Sequence, residues 1–216
     1  MKKSTIIILF IILISFSIGI YFYSQMPERI ASHWNIKGEV DGYMPKFWGL
    51  FLMPIISLSM FFLFLIIPKI DPLKANIEKF RKHFDMFIVI FVVFLFYVYL
   101  LTVFWNIGIK FNMIQFLAPA FGVLFLCCGE MIGKAKRNWF IGIRNPWTLS
   151  NEKVWEKTHE VGGKLFKIAG FIAFGGAILP DIARFLILFP VLFFVLYINF
   201  YSYFEYKKIT QEEKQK

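Results

Sequence analysis

Ionisable side chains are missing from the middle of every long apolar run in this sequence. Ion-coupled pumps keep such groups at bilayer depth, where each costs about 2.5–3.5 kcal/mol on insertion scales and is retained for function. The lack argues against a proton or cation pump, while Ser57, Ser59, Thr102, Asn106, Gln115 and Asn199 leave a neutral pathway open. Enzyme motifs are lacking too: there is no HExxH, no GxSxG, no phosphate-cradling glycine loop and no Cys-x-x-Cys. The only cysteines, Cys127 and Cys128, are adjacent within an apolar run, which excludes an ordinary disulfide framework and reads as two small buried residues. His33, His83 and His159 fall on separate segments, and no acidic or thiol partner stands at metal-binding spacing from His159. The reading is therefore a non-enzyme without metal or cofactor.

Apolar residues fill the space these absences leave. The chain of 216 residues is 58% hydrophobic, with 29 phenylalanines and a mean hydropathy of +0.64, well beyond the roughly 45–50% apolar content of soluble domains. The lipid bilayer is the first partner this composition implies. A net charge of +10 would fit nucleic acid, but no soluble domain is left to hold such a site. In a membrane protein the placement of basic residues matters more than their sum.

Six runs read as membrane spans: those at 5–24, 47–67, 84–107, 113–132 and 184–204 meet the roughly 20 residues needed to cross about 30 Å of hydrocarbon, and the fifth, at 164–179, is short. The first is too long for a signal core and lacks a small-residue cleavage site, so it reads as a retained anchor. Pro54, Pro119 and Pro190 mark candidate kinks, and Pro68 closes the second run. The third and fourth are joined by a few residues around Lys110 and should pair as an antiparallel hairpin. In the fifth, Ala169, Ala173 and Ala177 beside Gly170 and Gly176 form a small-residue face, which places this helix at the centre of the bundle. Residues 25–46 read as an ordered loop with turns. Residues 69–83, with Leu73, Ile77 and Phe80 at helical spacing, read either as a helix on the membrane surface or as a solvated connecting helix. Glu130 and Lys134, four apart, are expected to pair.

Lysine and arginine set the sidedness. Two precede the first run, five lie between the second and third, six fall within 134–157 and four are in the tail; the opposite side holds only Arg29, Lys37 and Lys46, then Lys110, then Arg184. The positive-inside rule then puts both termini in the cytosol. The expected fold is an all-α membrane protein of six transmembrane helices, with a short cytosolic helix in the loop between helices 4 and 5.

That loop is the densest stretch in chemical information. Asn145-Pro146 favours a turn. Ser150 is placed to cap a short helix, although Lys153 stands where a capping box needs Glu or Gln, and Gly162-Gly163 supplies a stop. Trp155 and His159 share one face of that helix, with Val154, Thr158 and Val161 on the next. Trp139, Trp147 and Trp155 recur every eight residues beside Arg144, and such a set reads as interfacial anchoring or as a protein-binding surface.

Gly142, Ile143, Arg144, Pro146, Trp147, Thr148, Leu149, Ser150, Asn151, Trp155, Thr158, His159 and Gly162 resemble the signature of the SdpI family of membrane proteins. Asn145 departs from the pattern, in which Thr is more usual. Near the N-terminus, Pro27, His33, Trp34, Asn35, Gly38 and Asp41 resemble the domain that precedes this signature in many SdpI-like proteins. The boundaries implied are an N-terminal domain at 1–67 and a helical bundle at 68–216 with its signature at 138–163. The resemblance implies immunity to a secreted toxic peptide that acts on the membrane, and relay of the toxin's presence by holding a cytosolic transcriptional repressor. Arg144, Asn145, Trp147, Asn151, Trp155 and His159 on the inner side, and His33, Trp34, Asn35 and Asp41 on the outer, are the candidate binding residues. A permease-like exporter of a peptide or small amphiphile is the competing reading of the kinked, neutral bundle.

Overall fold

In the computed structural model, which describes residues 2–35 and 37–214, each of the six runs lies in a helix long and apolar enough to cross a membrane. These are α1 (Lys2–Tyr23), α2 (Lys46–Ile70), α4 (Arg81–Asn106), α5 (Met113–Lys134), α7 (Glu152–Ile178) and α8 (Ala183–Lys214), with the short α3 (Lys74–Lys79) and α6 (Pro146–Ser150) between them. Pro54, Pro119 and Pro190 lie within continuous helix, and α2 runs past Pro68 to Ile70 rather than closing there.

The chain is not wholly helical. Residues read as a turn-rich loop form an antiparallel hairpin, β1 (Arg29–Trp34) with β2 (Val40–Pro45), whose register shifts between Ala31 and Trp34. Gly38 closes it at φ +80°, a left-handed conformation that glycine adopts at little cost. The hairpin is fixed to the bundle by Asn106, near the end of α4. The Ala31 N–H donates to Asn106 Oδ1 at 2.8 Å, and Asn106 Nδ2 donates to the Ala31 carbonyl at 3.0 Å. One side chain thus completes both polar groups of a buried strand residue, which would be costly to leave unpaired. Ile30, only 1% exposed, joins Met26, Leu50, Tyr99 and Val103 in an apolar cluster below it.

Segment 69–83 holds a short separate helix, α3, but it is not the longer surface helix that the spacing of Leu73, Ile77 and Phe80 suggests. The segment's last residues open α4, and α3 spans only six residues. Leu73 is half-buried, while Ile77 and Phe80 are buried within the main core with Phe84, Ile132, Ile141 and Trp155. Their helical spacing serves packing between segments.

Helices α4 and α5 do pack together, with Phe94 and Phe121 at 5.0 Å between ring centroids and the Tyr97 hydroxyl donating to the Phe116 carbonyl at 3.0 Å. The tightest approach is α5 against α7. A Cβ on Gly163 would lie 2.8 Å from the Gly129 carbonyl oxygen, and one on Gly170 would lie 2.8 Å from that of Gly122. Ala169 and Ala173 are buried as the small-residue face predicts, and Ala177 is half-buried with its carbonyl accepting from Gln115 Nε2. The closest packing, however, is made by the glycines. With no hydrophobic drive between helices in lipid, such close contact is what holds them together.

Gly162-Gly163 does not stop a helix. The expected short helix and the fifth span are one unbroken α7, because these glycines are packing surfaces: Gly162 faces Ile143, Ile198 and Ile132, and Gly163 faces α5. Glu130 pairs with Lys167 of α7, and His83 Nε2 of α4 approaches its other oxygen at 3.5 Å. The expected partner Lys134 is displaced by a cross-helix contact that ties three helices.

Candidate functional site

The connector from α5 to α7 is built on buried polar side chains. Asn138, fully buried, accepts at Oδ1 from the Phe140 and Ile141 N–H groups at 2.9 and 2.6 Å, and its Nδ2 donates to the Lys136 and Ile141 carbonyls, both at 2.8 Å. All its hydrogen-bonding capacity toward the local backbone is used to fold a tight loop. Asp71, 2% exposed in the loop after α2, accepts from the Leu73 N–H at 2.6 Å and from the Trp139 N–H at 2.9 Å. Asn76 Nδ2 donates to the Arg137 carbonyl at 2.8 Å. The connector is thereby tied to the α2–α4 loop.

Asn145 is extended and caps α6: its Oδ1 accepts from the Thr148 N–H at 3.0 Å, and its own N–H donates to Thr148 Oγ1 at 3.1 Å. Pro146 begins the helix, where its missing N–H costs nothing. The capping box absent around Ser150 therefore occurs one turn earlier. Ser150 ends α6 with its hydroxyl donating to the Trp147 carbonyl, and Asn151 caps α7 by accepting from the Lys153 and Val154 N–H groups at 2.9 and 3.2 Å. Asn145 also reaches α8, donating from Nδ2 to Ser202 Oγ at 2.8 Å.

Trp155 and His159 form the centre. Both are buried, their rings stack with centroids 3.9 Å apart, and Trp155 Nε1 donates to the Ala135 carbonyl at 2.8 Å. His159 Nδ1 lies 2.8 Å from the Trp155 carbonyl, and its Nε2 accepts from the Ile143 N–H at 3.0 Å. This pairing fixes the Nδ1–H tautomer and occupies both ring nitrogens. Gly142, at φ +114°, passes directly over the imidazole, and a Cβ there would collide with His159 Nε2. Among the described residues no group of three His, Cys, Asp or Glu is arranged to hold a metal.

The ten candidate binding residues fall into two separated groups. Trp155 and His159 are scaffold, and the side-chain oxygen of Asn151 is occupied by its cap. The accessible surface of the connector is formed by Arg144, whose Nη1 donates to the Trp139 carbonyl at 2.7 Å, with Trp139, Phe140 and a half-buried Trp147 set against Tyr203. At the far end of the bundle, His33 and Asp41 pair across the hairpin, Asn35 Nδ2 donates to Glu39 Oε2 at 3.0 Å, and Trp34 packs edge-on against Trp105. Sequence reasoning singled out neither Asp71 nor Asn138 nor Asn106 as an anchor. For Asp71 and Asn106 the available signal was a polar residue flanked by apolar ones at a helix end; Asn138, which follows Arg137 in the connector, offered none.

Because Asn145 both caps α6 and reaches α8, Asn145→Ala is expected to cost about 1–2 kcal/mol. Asn145→Thr retains a capping oxygen and should cost less. Thermal melting of the three proteins in one detergent checks the order.

A bundle of six membrane-length helices, bearing a docked hairpin at one end and a polar-locked tryptophan connector at the other, defines the class: a multi-pass membrane protein. Residues 10–58 match a domain of unknown function, DUF1648, and residues 134–202 match the SdpI/YfhL protein family. The chain is thus similar to SdpI/YfhL-family proteins over its C-terminal part, with the DUF1648 match lying N-terminal to it. It is 25% identical over 170 residues to the immunity protein SdpI of Bacillus subtilis (strain 168), covering 79% of each chain, and is a distant homologue of it. No solved structure matches.

Proposed function

We propose that this protein confers immunity to a membrane-acting peptide toxin, from a multi-pass position in the cell membrane with both termini in the cytosol. One observation carries the reading: the similarity to an immunity protein extends over 170 residues, so it reaches well beyond the family signature into the rest of the bundle. The lysine and arginine bias supports the orientation, with the hairpin outside and the connector inside. The hairpin is then the surface that first meets a toxin. The connector surface, with Arg144, Trp139, Phe140 and Trp147, has the composition that concentrates binding energy at protein interfaces, and is the site for a cytosolic repressor.

The test is expression of the full chain in cells sensitive to the toxin against which the Bacillus subtilis relative gives immunity, with insertion confirmed by membrane fractionation. Survival is the expected result. Undiminished killing of cells that carry inserted protein would remove the immunity reading for that toxin, and movement of the same peptide into reconstituted vesicles would favour an exporter instead.

A further inference from the structure

An apolar groove of about 290 Å³ runs between α5 and α8 at the hairpin end, walled by Leu117, Phe121 and Phe125 on one side and Ile187, Leu188 and Val191 on the other. Trp34, Asn35 and Arg184 stand at its mouth. A second, polar cavity of about 280 Å³ shares Ile114 and Arg184 with the first and adds Lys37, Asn112 and Asp181. The two adjoin at these shared residues, the first lined mainly by apolar side chains and the second by charged and polar ones.

We infer that the adjoining pair seats one anionic phospholipid, an acyl chain in the groove and the phosphate between Lys37 and Arg184. Length supports the match. From Ile114 to Phe125 the groove follows α5 for about 16 Å at a rise of 1.5 Å per residue, close to the roughly 15 Å of a single leaflet. Charge supports it as well, since Lys37 and Arg184 both line the opening, together with Asp181. The Trp34 indole N–H is buried beside the mouth and meets no acceptor among the described residues, which leaves a donor for a phosphate or ester oxygen.

A peptide fits less well. An extended backbone would have to leave its N–H and C=O groups unpaired against a wall of apolar side chains. A helix of about 10–12 Å diameter running the length of the groove would require on the order of 1,000 Å³, several times the available space. An acyl chain needs no hydrogen bonds and little width. Leu188 is 54% exposed, so the groove opens sideways, as entry from the bilayer requires.

The test uses the full chain purified in detergent and native mass spectrometry with phosphatidylglycerol or phosphatidylcholine of identical acyl chains. Wild-type protein is expected to retain phosphatidylglycerol about fivefold better, the factor for one basic residue near an anionic headgroup, since Asp181 offsets one of the two cations. Lys37→Gln with Arg184→Gln should bring the two lipids to equal retention. Leu188→Trp, which adds bulk at a half-exposed wall of the groove, should lower retention of both. Equal retention of the two lipids by the wild type would overturn the inference. So would unchanged phosphatidylglycerol binding by the Leu188→Trp protein, or a peptide mass in place of a lipid mass. Should the double variant not fold, the Leu188→Trp result decides alone.

Discussion

Gly163→Leu is expected to yield no monodisperse folded protein when detergent extracts are run on size exclusion, whereas Gly133→Ala should elute as the wild type does. Both positions lie along the α5–α7 contact, yet they differ in what a side chain would meet. At Gly163 the first added carbon lies 2.8 Å from the Gly129 carbonyl oxygen and 2.9 Å from Gly133 Cα, both backbone atoms that cannot rotate away. At Gly133 the nearest atom is Gly163 Cα at 3.9 Å, an ordinary contact. Overpacking of a close-packed interior costs about 1–3 kcal/mol, and more where nothing can yield. A leucine forces the helices apart along their length and takes the Gly129–Gly163 and Gly122–Gly170 contacts with it. Gly163→Ala should fall between, as a lowered melting temperature in protein that still folds. Equal recovery of the Gly163→Leu and wild-type chains would show that the α5–α7 approach is not what holds this bundle.

Trp155→Ala is the second large effect, expected to cost about 3–5 kcal/mol as a buried aromatic truncation. Three losses coincide there. The indole fills the junction of α7 with the main apolar core, its N–H satisfies the Ala135 carbonyl just past the end of α5, and its ring supports the His159 imidazole. Without the ring, His159 loses its stacking partner but keeps its bond to the residue-155 carbonyl, so the damage should centre on the Ala135–Arg144 part of the connector. Trp155→Phe retains most of the apolar surface and leaves one carbonyl unpaired, a cost of about 1–3 kcal/mol. Denaturant titration in a fixed detergent orders the three proteins. An alanine variant as stable as the wild type would mean that the connector is held chiefly by Asn138 and Asp71.

How much of this was legible in the sequence depended on the kind of signal. Uninterrupted apolar length is enough to mark membrane-length helices, and it located all six, because a helix satisfies its own backbone in lipid and little else does. Glycine was ambiguous. Gly162-Gly163 reads equally as a terminator or as a packing surface, and only the position of α5 decides between them. The hairpin was hidden because RIASHW and VDGYMP hold few strong strand formers, and their stability comes from Asn106, 75 residues from Ala31. Local rules misled at Glu130, where the (i, i+4) neighbour Lys134 gave way to Lys167, 37 residues distant. At the candidate site, the even spacing of Trp139, Trp147 and Trp155 concealed three different environments: exposed, half-buried and buried. Spacing along a chain that turns twice between these residues carries no information about shared surroundings.

The fusion of two expected pieces into α7 has a mechanical consequence. A stem of 27 residues measures about 40 Å at 1.5 Å per residue, with its Trp155–His159 stack near one tip and Ala173 and Gly176 near the other. Having no joint between these points, it behaves as a lever: a tilt imposed beside the hairpin must reappear, reversed in direction, under the tryptophan loop.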